Sequence, residues 1–246
     1  MSAVDFEIWL NHFEHHAQHP RRVQHDLSDL LRPDERQLIA NSIATFQLGE
    51  QSEGHTFLRA TQRFAHGCRV PALVRIAELF ICEEQRHAEL LRTFMQDHHI
   101  ALKKTDWTDR VFRLVRRLAG LELYLYILVS AELIGIVYYR ALEAATDCRR
   151  LMVLCRSVVS DELAHVGFES QLLLALRAGR PAPVQILMRL VHRAFFVGTA
   201  SIVWLTHRSV LRKGGFGARG FLRVCLSQYA FYLDPVNVTL ASTRAP

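Results

Sequence analysis

Two short stretches, Glu84-Gln85-Arg86-His87 and Glu162-Leu163-Ala164-His165, repeat one Glu-x-x-His spacing 78 residues apart. On a helix, residues three apart share a face, so each stretch would aim a carboxylate and an imidazole in one direction. Carboxylates bind metals terminally, as chelates or as bridges, and imidazole completes a mixed nitrogen and oxygen set suited to iron or manganese. Two such motifs on facing helices, joined by one carboxylate from each of two further helices, make a carboxylate-bridged site for two divalent ions.

The elements that must position these residues read as long helices. Half of the 246 residues are hydrophobic, and the 12 Gly and 7 Pro cluster where helices would end. These features predict an all-α protein of one domain, residues 1–246. It would comprise an N-terminal helical extension (1–32), a bundle (33–178) and C-terminal helices (184–246).

Pro33, Asp34 and Glu35 mark a helix start, with acids at the positive end of the dipole. This helix is expected to run to about Ala65, its apolar stripe of Ile39, Ile43, Phe46, Phe57 and Phe64 passing through Glu50 and Glu53. A second helix, from Pro71 to about Gln96, carries Ile76, Phe80, Glu84, His87, Leu91 and Phe94 on one face. Glu83, Arg86 and Glu89 fall off that face and are expected in solvent.

Beyond a polar break at Lys103 to Asp109, the apolar run from Leu121 to Tyr139 is long enough to raise the question of a membrane span. It contains Glu122 and Glu132, and charges at mid-bilayer are rare, so it reads as a central buried helix with Glu132 facing inward. The helix from Arg149 to Ala178 places Cys155, Val158, Glu162, His165, Glu169 and Leu172 on one stripe. Helices to about Arg212 and from Ala218 to Leu233 complete the chain.

The inward metal-binding candidates are therefore Glu50 or Glu53, Glu84 with His87, Glu132, and Glu162 with His165; Glu53, Glu122 and Glu169 are alternates or neighbours of the ligands. Intervals near 30 residues suit antiparallel helices joined by a short loop, because about 15 residues of helix span ~22 Å. Buried ion pairs are the competing account of so many carboxylates. No matching run of inward Lys or Arg supports them.

Phe46, Phe57, Phe80, Leu128 and Tyr139 would line an apolar substrate pocket, or simply fill the core. Tyr124, Tyr126, Tyr138 and Tyr139 are candidates for proton or electron transfer near Glu132. His12, His15, His16 and His19 lie on an N-terminal helix that reads as solvated.

Five cysteines without CxxC spacing fit reduced thiols better than a disulfide framework, and the N-terminus lacks the pattern of a secretory signal; both point to the cytoplasm. The net charge of +6 is scattered, which favours a charged solvated surface over a nucleic-acid partner. Within 184–233, the apolar run Ala194 to Leu205 is short for a bilayer span. Flanked by Arg and His, it has the makings of a peripheral membrane contact.

Glu83-Glu84-Gln85-Arg86-His87-Ala88-Glu89 resembles the second-helix motif of ferritins and rubrerythrins, and Asp161-Glu162-Leu163-Ala164-His165 resembles the fourth-helix motif of di-iron carboxylate proteins. Gly49-Glu50-Gln51 with Glu53, and Phe168-Glu169, are similar to stretches in aldehyde-deformylating oxygenases of the ferritin-like superfamily. The resemblance covers Ile39 to Leu173 and implies a ferritin-like four-helix bundle, whose long crossover suits the 48 residues between Glu84 and Glu132. It further implies two iron ions, or manganese, with Glu50 as the ligand and Glu53 beside it. Glu84 and Glu162 would bridge, and Glu50 and Glu132 would be terminal. The activity implied is an O2-dependent oxidase or oxygenase acting on an apolar, lipid-like small molecule, with a ferredoxin or flavin reductase as electron donor. Ferroxidase or iron-handling activity is the alternative within the superfamily. A metal-free scaffold docking on a membrane or partner is the alternative outside catalysis.

Overall fold

A computed structural model describes residues 4–21, 23, 29–51, 54–105 and 120–233. The described residues form eight α-helices and no strand: α1 (Phe6–Gln18), α2 (Pro33–Glu50), α3 (His55–Cys68), α4 (Ala72–Asp97), α5 (Leu121–Ala144), α6 (Arg149–Arg177), α7 (Ala182–Lys213) and α8 (Ala218–Leu233). The expected all-α class is what the chain adopts.

α5 is the central element. Eighteen of its residues are buried, including Glu132, because it is apolar on every side and has helices around it. A four-residue link joins it to α6, its most extensive packing partner, and α3, α7 and α8 also pack on it. α4 contacts α1, α2, α3 and α6. One contiguous apolar core runs from Val4 to Leu233. By length and composition, α5 and α7 are each apolar enough to cross a membrane. α5 is mostly buried in the protein, whereas α7 is not.

The helix start at Pro33 is as expected, and Glu35 has more to do than meet a dipole. Its carboxylate accepts from the backbone N–H of Arg32 at 2.9 Å and of Asp147 at 2.7 Å, tying the start of α2 to the α5–α6 link.

The single helix expected from Pro33 to Ala65 is instead two. α2 stops at Glu50 and α3 restarts at His55, with Gly54 at φ 66° as its N-cap. A side chain is strained in that left-handed conformation, so glycine marks the break. The apolar stripe continues across it, which is why periodicity alone reads as one helix. Glu53 lies outside the described residues, as does 106–119 of the segment expected to precede α5.

The N-terminal helix is not solvated. Trp9 and Phe13 are buried one turn apart, and the Trp9 indole N–H donates to Gln171 Oε1 at 2.9 Å. Phe13 packs among Phe80, His165 and Phe168. The histidines obscured this apolar edge. His15 and His19 stack on each other in solvent while His12 and His16 turn toward α4 and α6.

Candidate metal centre

Four helices converge on one buried cluster. α2 contributes Glu50 from its last residue, α4 contributes Glu84 and His87, α5 contributes Glu132, and α6 contributes Glu162 and His165. Donor atoms of Glu50, Glu84, His87 and Glu162 all lie within 4.8 Å of one another, and so do those of Glu84, Glu132, Glu162 and His165. The two groups share Glu84 and Glu162. All six residues singled out from the sequence are thus brought together, with Glu84 and Glu162 at the seam.

Both imidazoles turn Nδ1 toward the seam. His165 Nδ1 is 3.0 Å from Glu162 Oε2 and 3.1 Å from Glu84 Oε1, and His87 Nδ1 is 3.1 Å from Glu162 Oε1. Their Nε2 atoms face acids outside the cluster, and the contacts cross between helices. His87 on α4 bonds Asp161 Oδ2 on α6 at 3.1 Å, while His165 on α6 bonds Glu83 Oε2 on α4 at 2.9 Å. A carboxylate on Nε2 fixes the tautomer that leaves the Nδ1 lone pair free for a metal.

Glu83 and Asp161 correct the expectation drawn from the stripe. Glu83 is buried rather than solvated, as is Asp161, and partly buried Arg86 donates to Asp161 Oδ2 at 2.6 Å. Only Glu89 of the three off-stripe residues is exposed, paired with Arg92. A sequence signal for these acids did exist: each Glu-x-x-His is immediately preceded by one.

Ionisation follows the geometry. Burial works against a proton on His87, but the hydrogen-bonded Asp161 and the adjacent Glu162 outweigh it and push the imidazole up to about 10. His165 rises for the same reason, held by Glu162, Glu83 and Glu84 against burial. Glu50 and Glu132 are pushed well above the carboxylate range, first by burial and then by the neighbouring Glu84 and Glu162. Glu162 goes the other way: the Glu132 hydrogen bond and His165 overcome its burial and hold it well below that range. Without metal, the protons of two imidazoles and two carboxyls supply the positive charge the cluster needs.

The residues fit a metal pair. At the seam His87 Nδ1 faces Glu162 Oε1 and His165 Nδ1 faces Glu84 Oε1, each at 3.1 Å and buried, so the lone pairs of four residues converge on one space.

The alternates separate. Glu169, one turn beyond His165, is fully buried with neither oxygen hydrogen-bonded, and burial raises it well above the carboxylate range. It adjoins the centre without belonging to either ligand group. Glu122 is not part of the site. It begins α5, about 15 Å along the helix from Glu132, and its carboxylate pairs with Arg177 at 3.4 Å and Arg180 at 2.5 Å. Both faces of α5 are apolar there, so its stripe could not have excluded Glu122.

A cavity of about 180 Å³ lies against the cluster, with Glu50, Glu84 and Glu132 in its wall. Phe46, Phe57, Phe80, Leu128 and Tyr139 all line it, as the sequence suggested, and α7 closes it with Thr199, Ile202, Val203, Thr206 and His207. The four tyrosines have distinct roles. The Tyr139 hydroxyl donates to Glu50 Oε1 at 2.6 Å, and Tyr138 shares Ser42 with His207. Tyr124 stacks on Phe57, while Tyr126 packs under Arg177 on the far side of α5.

Compared with protein-family models, curated proteins and solved structures, the chain finds no match.

Proposed function

We propose that this chain is a ferritin-like, carboxylate-bridged di-iron oxidoreductase that uses O2 to oxidise an apolar substrate held beside the metals. The observation that carries the reading is the pair of ligand groups sharing Glu84 and Glu162, set in the wall of an apolar cavity. Shared carboxylates suit a bridged pair better than two independent ions, and the helices contributing ligands match a four-helix bundle with Glu-x-x-His on two of them.

When bound, such a metal pair supplies the redox equivalents and Lewis acidity for O2 chemistry. The chain's own residues do the rest. Glu50 and Glu132 would give up protons to become terminal ligands, and Tyr139 holds Glu50 through its hydroxyl. Asp161 and Glu83 keep the two imidazoles aimed inward. The largely aromatic and aliphatic cavity wall favours an acyl or similar chain over a polar metabolite. A ferredoxin or flavin reductase would deliver electrons. The cavity favours oxidation of an organic molecule over iron storage, which needs no such chamber.

Protein expressed with iron should contain about two ions per chain. Glu162→Ala, which removes a donor from both groups, should lose both, and His87→Ala, which removes one from a single group, should retain about one. Trace metal that does not rise on anaerobic reconstitution would refute the metal centre. Oxygen uptake that depends on an added fatty aldehyde or acid separates the oxygenase from a ferroxidase, which would consume O2 with iron alone.

A further inference from the structure

α7 is apolar on two opposite sides. One side, with Phe196, Ala200, Trp204 and Val210, is buried in the protein. The other presents Leu187, Leu190, Val191, Ala194, Ile202 and Leu205 to solvent along one stripe, the larger side chains 38–64% exposed. From Val184 to Leu205 the stripe runs for about 31 Å without interruption by a charge. Scattered exposed aliphatics need no explanation, but a continuous band of this length does.

Its electrostatic setting is one-sided. Residues 181–233 contain seven Lys and Arg and no Asp or Glu, more than the whole +6 of the chain. Arg208 and Arg212 lie one and two turns beyond Leu205, and Arg193, Arg219 and Arg223 are exposed nearby; none of these five is in an ion pair among the described residues. Between α7 and α8 a cleft of about 210 Å³ sets Arg189 and Arg193 against Leu190, Leu226 and Tyr229, a pairing of cations with apolar wall that suits a lipid headgroup.

We propose that the outer face of α7 docks on an anionic lipid bilayer, lying in the headgroup plane with its aliphatic stripe inserted and the arginines of α7 and α8 on headgroup phosphates. A helix with one apolar face and cationic flanks binds membranes in this way. A second copy of the chain is a poorer occupant, because a two-fold contact would oppose two acid-free, cationic segments. Docking also bears on the proposed function, and this part rests on that reading. Ile202 belongs to the stripe and, with Thr199 and Val203, to the cavity wall, so a single helix separates the bilayer from the metal ligands. The substrate class this favours is an acyl chain that partitions into membranes.

The test is flotation of the full-length protein with phosphatidylcholine vesicles, with and without phosphatidylglycerol. The protein should float with the anionic vesicles only, and added salt should release it. Leu187→Glu with Val191→Glu should weaken binding about tenfold or more, as should Arg208→Glu with Arg219→Glu. Both pairs are exposed, so melting curves and metal content should be unchanged; should the first pair misfold, the second carries the test. Absence of flotation with anionic vesicles, or variants that float like the parent protein, overturns the proposal. So does a lipid-free dimer that Leu187→Glu dissociates, because a second copy then owns the face. Metal content is read on the same samples, so loss of docking is distinguished from loss of the metal centre.

Discussion

Asp161 and Glu83 lie outside both candidate metal-binding groups, yet each holds a histidine of those groups on another helix through one hydrogen bond to Nε2. Asp161→Asn and Glu83→Gln should therefore lower iron or manganese affinity about 10–100-fold while leaving all six ligands in place, as titration with a competing chelator would read. Protons compete for the same atoms. His87 is held at about 10 against an ordinary 6.5, so its proton stabilises the metal-free fold fully below about pH 6.5, and that contribution is lost as pH climbs through about 10. Metal must displace this proton, so affinity runs the opposite way. Between pH 6.5 and 10, melting temperature of the metal-free protein should fall while metal affinity rises, and His87→Ala should flatten the fall. Glu84 and Glu162 were legible as inward residues, and Glu50 or Glu53 as a pair of candidates, because helical periodicity depends only on local spacing. The acid before each motif was visible too, but not which histidine Glu83 and Asp161 would hold, because that is set by how α4 crosses α6.

At the scale of elements, the break between α2 and α3 matters most, since it ends a helix on Glu50, one of the clustered carboxylates. Gly54 holds the turn at φ 66°, and a Cβ there would come within 2.6 Å of the Ile81 side chain, itself in the cavity wall. Gly54→Ala should cost about 1–3 kcal/mol in thermal or denaturant unfolding, from left-handed strain and that overlap. The loss of metal affinity should be larger at the group containing Glu50 than at the group containing Glu132. The apolar stripe from Ile39 to Phe64 carries no mark of this break, since the period is kept on both sides. The packing of α1 is hidden for a related reason: four histidines dominate its composition, whereas two residues, Trp9 and Phe13, decide that it packs.

For the molecule as a whole, the C-terminal region matters through α7, which forms part of the wall of the cavity beside the cluster. Ile202→Trp should fill part of its 180 Å³, lower substrate-dependent oxygen uptake and leave iron content unchanged. Assaying a series of acyl chain lengths would show the shortest affected least. By itself the sequence determined the all-α class, the helix ends near Pro33, Ala178 and Arg212, and the inward faces that carry Glu84 with His87 and Glu162 with His165, because each depends on propensity and on a repeat of 3.6 residues. Only the tertiary structure decided that Glu84 and Glu162 lie between two ligand groups, that acids on one helix orient histidines on another, and that Glu122 serves Arg177 and Arg180 instead. Those relations join residues tens of positions apart, and they depend on helix crossings and on which face of an all-round apolar helix meets which neighbour. No local pattern encodes that choice for α5 or α7, where burial of apolar surface alone is satisfied by several rotations, and the packing of all the helices together selects one.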